Sequence, residues 1–345
     1  MAYHNHVALF EAPHQVRIVD QELPEPGPGE VAVRVHACGI CTFEQRLFTG
    51  ASPTYPFRPG HEAAGEVVAV GEDVVLDVKP GDRVALALLG RCGQCYYCRT
   101  GQSDLCVNAY VRPQHGEPPT MGGLGEYLVV PAYKVYKMNN ELPFEVAAFS
   151  EPLACAVHSI NKAKIRLAQD VVVLGGGTMG QLHILLARLR GARVIVSEPQ
   201  GDKREVAAAH GAHVVIDPTV TDPVAKVKEL TEGRGADVVF ITVGVPKVSE
   251  QALQMVRKGG RVVFYSAYVP KLEMPINLDD IHHRQWELVG VLNQTTEDWL
   301  EATRLLSLRL IDVSHLISGQ YDLRDINPAL EHATDGKSFR VIVRS

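Results

Sequence analysis

An α/β chain of two domains is the fold class that this sequence predicts, a β-rich N-terminal domain followed by a doubly wound parallel sheet. Three observations lead there. Up to about residue 155, short strand-like runs alternate with Gly and Pro turns. Beyond it, continuous apolar runs alternate with helix-period segments. The last fifty residues return to mixed texture and are expected to rejoin the first domain. At 345 residues the chain is long enough for two cores. The expected boundaries are 1–155, 156–292 and 293–345.

In the first part, Val31-Ala32-Val33-Arg34-Val35 alternates in strand fashion after the turn Pro24-Glu25-Pro26-Gly27-Pro28-Gly29. Gly65–Val70 and Asp82–Leu86 read in the same way. In the second part, Val171-Val172-Val173-Leu174 has the continuous apolarity of a strand buried on both faces. A helix over about Met179–Arg190 follows, then the strand Val194–Val196, a helix near Lys203–His210 and the strand Val214–Ile216. Val238–Ile241 and Val262–Tyr265 add strands, with a helix near Val248–Val256 between them. Such alternation implies parallel strands joined by crossover helices.

Composition excludes several function classes. Lys and Arg total 34 against 40 Asp and Glu, interspersed without basic arms, so a nucleic acid partner is not expected. No apolar run is long enough for a membrane span. Met1–His6 lacks a basic segment followed by an apolar stretch, so a cytoplasmic location is the expectation. The seven cysteines cluster, which in a reducing compartment suggests metal rather than disulfides.

Gly175-Gly176-Gly177-Thr178-Met179-Gly180 follows a strand at once and opens a helix. Gly175 permits the tight turn, Gly177 lets a backbone approach a pyrophosphate, and Gly180 allows close helix–strand packing. Glu198 ends the next strand, where a carboxylate accepts ribose hydroxyls and repels a 2′-phosphate. NAD is therefore expected over NADP, with Lys203 and Arg204 tempering the choice. The rival reading is a glycine turn in an α/β protein that binds no dinucleotide.

Cys92, Cys95, Cys98 and Cys106 can close a tetrahedral shell around zinc, a structural site with no room for substrate. An iron–sulfur cluster is the rival, but its fourth cysteine usually follows after three residues and precedes Pro. Here the gap is seven residues and Val107 follows. A second, dispersed set comprises Cys41, the pair His61-Glu62, and Glu151. Cys, His and a carboxylate meet the needs of a catalytic zinc with one exchangeable position, though spacing does not make them converge. Cys38 reads as a small buried residue at a strand end.

Together these motifs resemble the zinc-containing medium-chain dehydrogenase/reductase (alcohol dehydrogenase) family, nearest its polyol (sorbitol-type) and threonine dehydrogenase branch. Cys38-Gly39-Ile40-Cys41, Gly60–Val67, Pro80–Val84, the four-cysteine lobe, Gly122–Tyr127, Glu151-Pro152-Leu153 and the glycine turn carry the resemblance over essentially the whole chain. It implies a GroES-like catalytic domain that includes the C-terminal strands, an inserted Rossmann domain, and an active site in the cleft between them. It also implies two zinc ions per chain, NAD, and a homodimer or homotetramer. Cys41 and His61 would bind the catalytic zinc, with Glu62 or Glu151 as the third ligand, and the four-cysteine lobe the structural one. Thr178, Met179, Lys203, Ser266 and Leu292 complete the expected cofactor contacts.

The expected reaction is hydride transfer between NAD(H) and a secondary alcohol or ketone, on a polyol, sugar-derived or amino alcohol. The pattern departs from the family at Phe43, where a relay Ser or Thr is usual, and at Arg46, where many members place a relay His. Glu44 replaces an Asp, and Leu47 and Asn293 replace Tyr and Arg substrate contacts. The proton is then expected to leave through Glu62, Glu151, Thr42 or water, with a carboxylate–water route preferred. Phe43, Glu151 and Asn293 are candidates for the substrate pocket, and Asn293 and Gln294 read either as partners of extra substrate hydroxyls or as polar groups of a loop. His158, His282 and His283 read as structural or surface residues. The competing functions are reduction of conjugated or iminium bonds, and a non-catalytic NAD-binding scaffold.

Overall fold

The computed structural model describes residues 3–109, 120–271 and 273–345. It divides into two compact units, Met1–Ala154 with Gln294–Ser345, and Cys155–Asn293.

The first unit is built on a seven-stranded sheet. Its order runs Ile317–Asp322, Arg340–Arg344, Glu30–Gly39, Glu62–Val70, Arg83–Ala87 and Val135–Lys137, with Tyr127–Pro131 also paired to Glu30–Gly39. The turn before Glu30–Gly39 closes through Gly29 at φ 76°. Alternating Val31, Val33 and Val35 are fully buried, and each such burial contributes about 1.5–3 kcal/mol. The hairpin Tyr3–Ala12 with Gln15–Leu23 packs onto this unit, Ala8 N donating to Leu124 O at 2.8 Å.

The C-terminal strand Arg340–Arg344 runs antiparallel to Glu30–Gly39, with Ile342 opposite Gly39 and Val343 opposite Cys38. Glu62 is opposite Gly39 from the other neighbouring strand. The sheet therefore gathers residues near 40, 61 and 340, which are remote in sequence.

The second unit is a six-stranded parallel sheet in the order Val214–Ile216, Arg193–Ser197, Asp170–Leu174, Ala236–Ile241, Val256–Phe264, Glu287–Gly290. Asp170–Leu174 is paired on both edges and buried at every position, as befits a central strand of a parallel sheet covered on both faces. The strand order reverses at that strand, and in open parallel sheets ligands bind at the carboxyl end of such a switch point. Gly175 stands at that end.

The helices expected near 179–190, 203–210 and 248–256 form as Thr178–Leu189, Gly201–Ala209 and Pro246–Met255. The strand expected from Val262 begins at Val256, whose backbone already leaves the helix at φ −71°, ψ 138°. The helices Ser150–Ala163 and Pro223–Leu230 and the edge strand Glu287–Gly290 add to the elements read from the sequence, and Pro223–Leu230 starts on an Asp222 cap with Pro at its first position. Among the described residues, no helix is long and apolar enough to cross a membrane.

Candidate metal and dinucleotide sites

Cys41 begins the helix Thr42–Thr49, and His61 immediately precedes the strand Glu62–Val70. Gly60 makes the turn into His61 at φ 101°, where a Cβ would lie 2.2 Å from the backbone nitrogen of Leu124. One donor atom each from Cys41, His61 and Glu62 falls within 4.8 Å of the other two. His61 and Glu62 are buried.

Glu44 holds this arrangement together. Its Oε1 accepts from His61 Nδ1 at 2.9 Å and Gly60 N at 3.1 Å, and its Oε2 accepts from Cys41 N at 3.1 Å. With Nδ1 committed, His61 turns Nε2 toward Cys41 and Glu62 as the available ligand atom. Burial would raise the Glu44 pKa, but the charge and hydrogen bond of His61 outweigh it and hold the carboxyl below its usual range. Burial would lower His61, yet Glu44 and the hydrogen bond to Cys41 raise it well above 6.5. Three N–H donors thus converge on two oxygens, and only a carboxylate accepts from all of them. Glu44→Gln places an amide donor against one of these N–H groups. It is expected to weaken zinc binding about 10–100-fold in chelator competition, the usual cost of losing a ligand-orienting partner.

Glu62 has two different oxygens. Oε2 lies 3.0 Å from Arg340 Nε, an ion pair without hydrogen-bond alignment. Oε1 is buried with no hydrogen-bond partner. Burial pushes the carboxyl up to about 7, against the pull of Arg340 and with a further push from Glu151. Burial likewise raises the Cys41 thiol. A cation among these groups would answer both the orphaned oxygen and the crowded negative charge, so the residues present fit a zinc ion. Gly39 makes the space, since a Cβ there would fall 2.1 Å from Glu62 Oε2.

Arg340 was not foreseen from the sequence. Its Nη1 also donates to Ile40 O at 2.8 Å, and it is buried. Only the pairing of the C-terminal strand brings it here, and no local motif marks it.

Glu151 is buried but falls outside the three-residue group, and its Oε1 accepts from Gln294 Nε2 at 3.1 Å. Gln294 is itself fully buried, and this hydrogen bond orients the Glu151 carboxylate. Phe43 packs edge-on against His61, with ring centroids 5.9 Å apart, and against Phe57 at 5.8 Å. Leu47 is fully buried in the core, while Thr42 is exposed at the helix start. Asn293 adopts a left-handed backbone at φ 54°.

The four cysteines of the lobe have one sulfur each within 4.8 Å of the others. Cys92 N points at Cys106 Sγ and Cys95 N at Cys92 Sγ, both at 3.3 Å. Hydrogen bonding from Asn108 and from backbone amides draws Cys92 down to about 6. Amide donors lower Cys95 as well, which favours thiolates at these two positions, whereas burial pushes the Cys98 thiol up to about 12. Among the described residues, no cysteine forms a disulfide.

In the glycine turn, Gly175 adopts φ 106°, and a Cβ on Gly180 would lie 2.0 Å from Gly175 O. A Cβ on Gly177 would meet nothing within 4 Å, so the backbone is open there. The helix Thr178–Leu189 starts next, presenting first-turn amides without intrahelical partners. Glu198 is buried, its Oε2 accepting from Gly176 N at 2.6 Å and its Oε1 from Gln200 N at 2.8 Å. The acid expected to face a ribose thus also buttresses the turn. Arg204 is engaged by Asp217 at 2.7 Å and by the carbonyls of Glu198 and Pro199. Lys203 is buried, Ser266 follows the strand Val256–Phe264, and Leu292 is exposed.

Comparison with known proteins identifies the family. Residues 27–140 match the alcohol dehydrogenase GroES-like domain, and residues 178–307 match the zinc-binding dehydrogenase family. L-threonine 3-dehydrogenase of Pyrococcus abyssi (strain GE5 / Orsay) is 38% identical over 216 residues, 61% of this chain and 60% of that protein. The match thus spans about 60% of that relative's length. D-arabitol-phosphate dehydrogenase of Enterococcus avium is 30% identical over 337 residues, 96% of this chain and 94% of that protein. A crystal structure described as a zinc-binding dehydrogenase from Sinorhizobium meliloti 1021, bound to NADP, has a TM-score of 0.89 and 30% identity. That match covers 99% of this chain and 100% of the other. The chain belongs to the zinc-containing medium-chain dehydrogenase/reductase (alcohol dehydrogenase) family.

Proposed function

We propose that the protein transfers a hydride between NAD(H) and a secondary alcohol or ketone, and that its substrate is a polyol, sugar-derived or amino alcohol. The observation that carries this reading is the convergence of Cys41, His61 and the orphaned Glu62 Oε1. Cys41, His61 Nε2 and Glu62 would hold one zinc, and Cys92, Cys95, Cys98 and Cys106 a second. Zinc supplies a Lewis acid for the substrate oxygen, and the nicotinamide supplies the hydride chemistry. The substrate classes are those of the relatives, which act on threonine and on arabitol phosphate by name.

The chain's own residues then divide the work. Glu44 fixes the His61 tautomer. Phe43 packs against the imidazole and limits how far it can tilt. Arg340 offsets part of the negative charge on Glu62. Glu151, oriented by Gln294, takes the alcohol proton by way of water, since Phe43 occupies the place of a relay hydroxyl. In the other unit, Gly177 and the first-turn amides of Thr178–Leu189 cradle the pyrophosphate. Glu198 and the engagement of Arg204 by Asp217 favour NAD, because they leave little cationic charge for a 2′-phosphate.

Two measurements test the proposal together. Metal analysis is expected to find two zincs per chain. A panel of polyols and amino alcohols with NAD or NADP is expected to yield reduced nicotinamide, faster with NAD. A protein that reduces enones or iminium compounds and oxidises no alcohol would overturn the reading.

A further inference from the structure

A third cluster of metal-ligand residues lies in the N-terminal hairpin. His4 and His6 are two residues apart on the strand Tyr3–Ala12, so their side chains share one face. Across the hairpin, Glu22 pairs with His4 and Asp20 with His6. Between the two histidines, Asn5 points the other way, is buried, and accepts from Glu126 N and Tyr127 N. The histidine face is therefore the solvent face.

Each ring has one nitrogen committed to a carboxylate. His4 Nδ1 is 2.9 Å from Glu22 Oε1, and His6 Nδ1 is 2.8 Å from Glu126 Oε2. Both remaining nitrogens converge on a single atom, Asp20 Oδ1. His4 Nε2 lies 3.4 Å from it and His6 Nε2 3.2 Å. If each ring is neutral and donates through Nδ1, two Nε2 lone pairs face a carboxylate lone pair. That arrangement needs positive charge in the middle, either a second proton on each ring or one shared cation.

The distances suit a cation. A tetrahedral ion with bonds of about 2.0–2.1 Å sets its ligand atoms about 3.3 Å apart. One donor atom each from His4, His6 and Asp20 lies within 4.8 Å of the other two. Glu22 and Glu126 stand behind the imidazoles as the carboxylates that fix ligating histidines in metal sites. Three carboxylates around two neutral rings leave a local charge that attracts a cation. Imidazole donors select first-row transition ions over calcium or magnesium, which prefer oxygen.

We propose that His4, His6 and Asp20 form a peripheral site for a divalent transition ion of the zinc, nickel or copper class, separate from the two zinc sites above. Water would complete the shell on the exposed side. Because Glu126 immediately precedes the strand Tyr127–Pro131, an ion here would fasten the hairpin to the sheet through Glu126 and His6.

The test is calorimetric titration with Ni2+ of desalted protein whose metal analysis shows no more than two zincs per chain, so that the hairpin site starts empty. The wild type is expected to bind one Ni2+ per chain that His4→Gln and Asp20→Asn each weaken at least tenfold. His283→Gln, at an exposed helix position, is the control and is expected to match the wild type. His4 and Asp20 are exposed, so circular dichroism of their variants should superimpose on the wild type. Isotherms for His4→Gln and Asp20→Asn that coincide with the wild type would overturn the site. So would a wild-type protein that takes up no Ni2+, the result expected if two imidazolium rings alone satisfy Asp20.

Discussion

His61→Ala is expected to lower kcat/KM for alcohol oxidation by more than about 10³-fold, equivalent to roughly 4 kcal/mol of transition-state stabilisation. The reason is geometric. His61 is held by Glu44 through Nδ1, so its Nε2 is fixed among Cys41 and Glu62, and alanine leaves nothing in its place. The zinc content should fall from two per chain to one, because the four-cysteine lobe uses none of these residues. Its thiols retain their own amide hydrogen bonds. Plasma emission spectrometry and steady-state kinetics on one preparation check both halves. Turnover that survives while one zinc is lost would separate the reaction from this group of residues.

Arg340→Met is expected to destabilise the fold by about 3–5 kcal/mol, the usual cost of removing one partner from a buried ion pair. Arg340 and Glu62 are both buried, 3.0 Å apart, and burial already pushes the Glu62 carboxyl up to about 7 against the pull of Arg340. Without the guanidinium, a charged Glu62 has less to offset its desolvation, and Ile40 O loses its donor. Adding Glu62→Gln to the variant removes the orphaned charge and should restore part of the loss. Urea unfolding of the wild type, the two single variants and the double variant measures this coupling. Additive effects of the two substitutions would show that the pair does not act as a unit.

Leu47 and Phe43 are apolar where polyol enzymes of the family are expected to hold polar groups, and Leu47 is fully buried. Gln294, the polar group nearest in sequence to Asn293, is engaged by Glu151.

The local motifs were legible because their chemistry is packed into a few residues. Four cysteines within fifteen positions need only a loop to converge, and the loop brings them within reach of one another. The glycine turn was legible for the same reason, since a strand end and a helix start are consecutive in the chain. Apolar runs such as Val171–Leu174 revealed central strands, because burial on both faces removes the polar alternation.

Tertiary structure decided what depends on pairing between distant strands. Arg340 reaches Glu62 only because the C-terminal strand adds beside Glu30–Gly39, and strand pairing leaves no trace in the local sequence of either partner. The three-dimensional arrangement also separated Glu62, with an orphaned oxygen, from Glu151, which is bound by Gln294. It showed that Glu198 braces the glycine turn as well as ending its strand. Residue types and spacings state which chemistry is available, whereas register and burial determine which of those groups meet and which are left short of a partner.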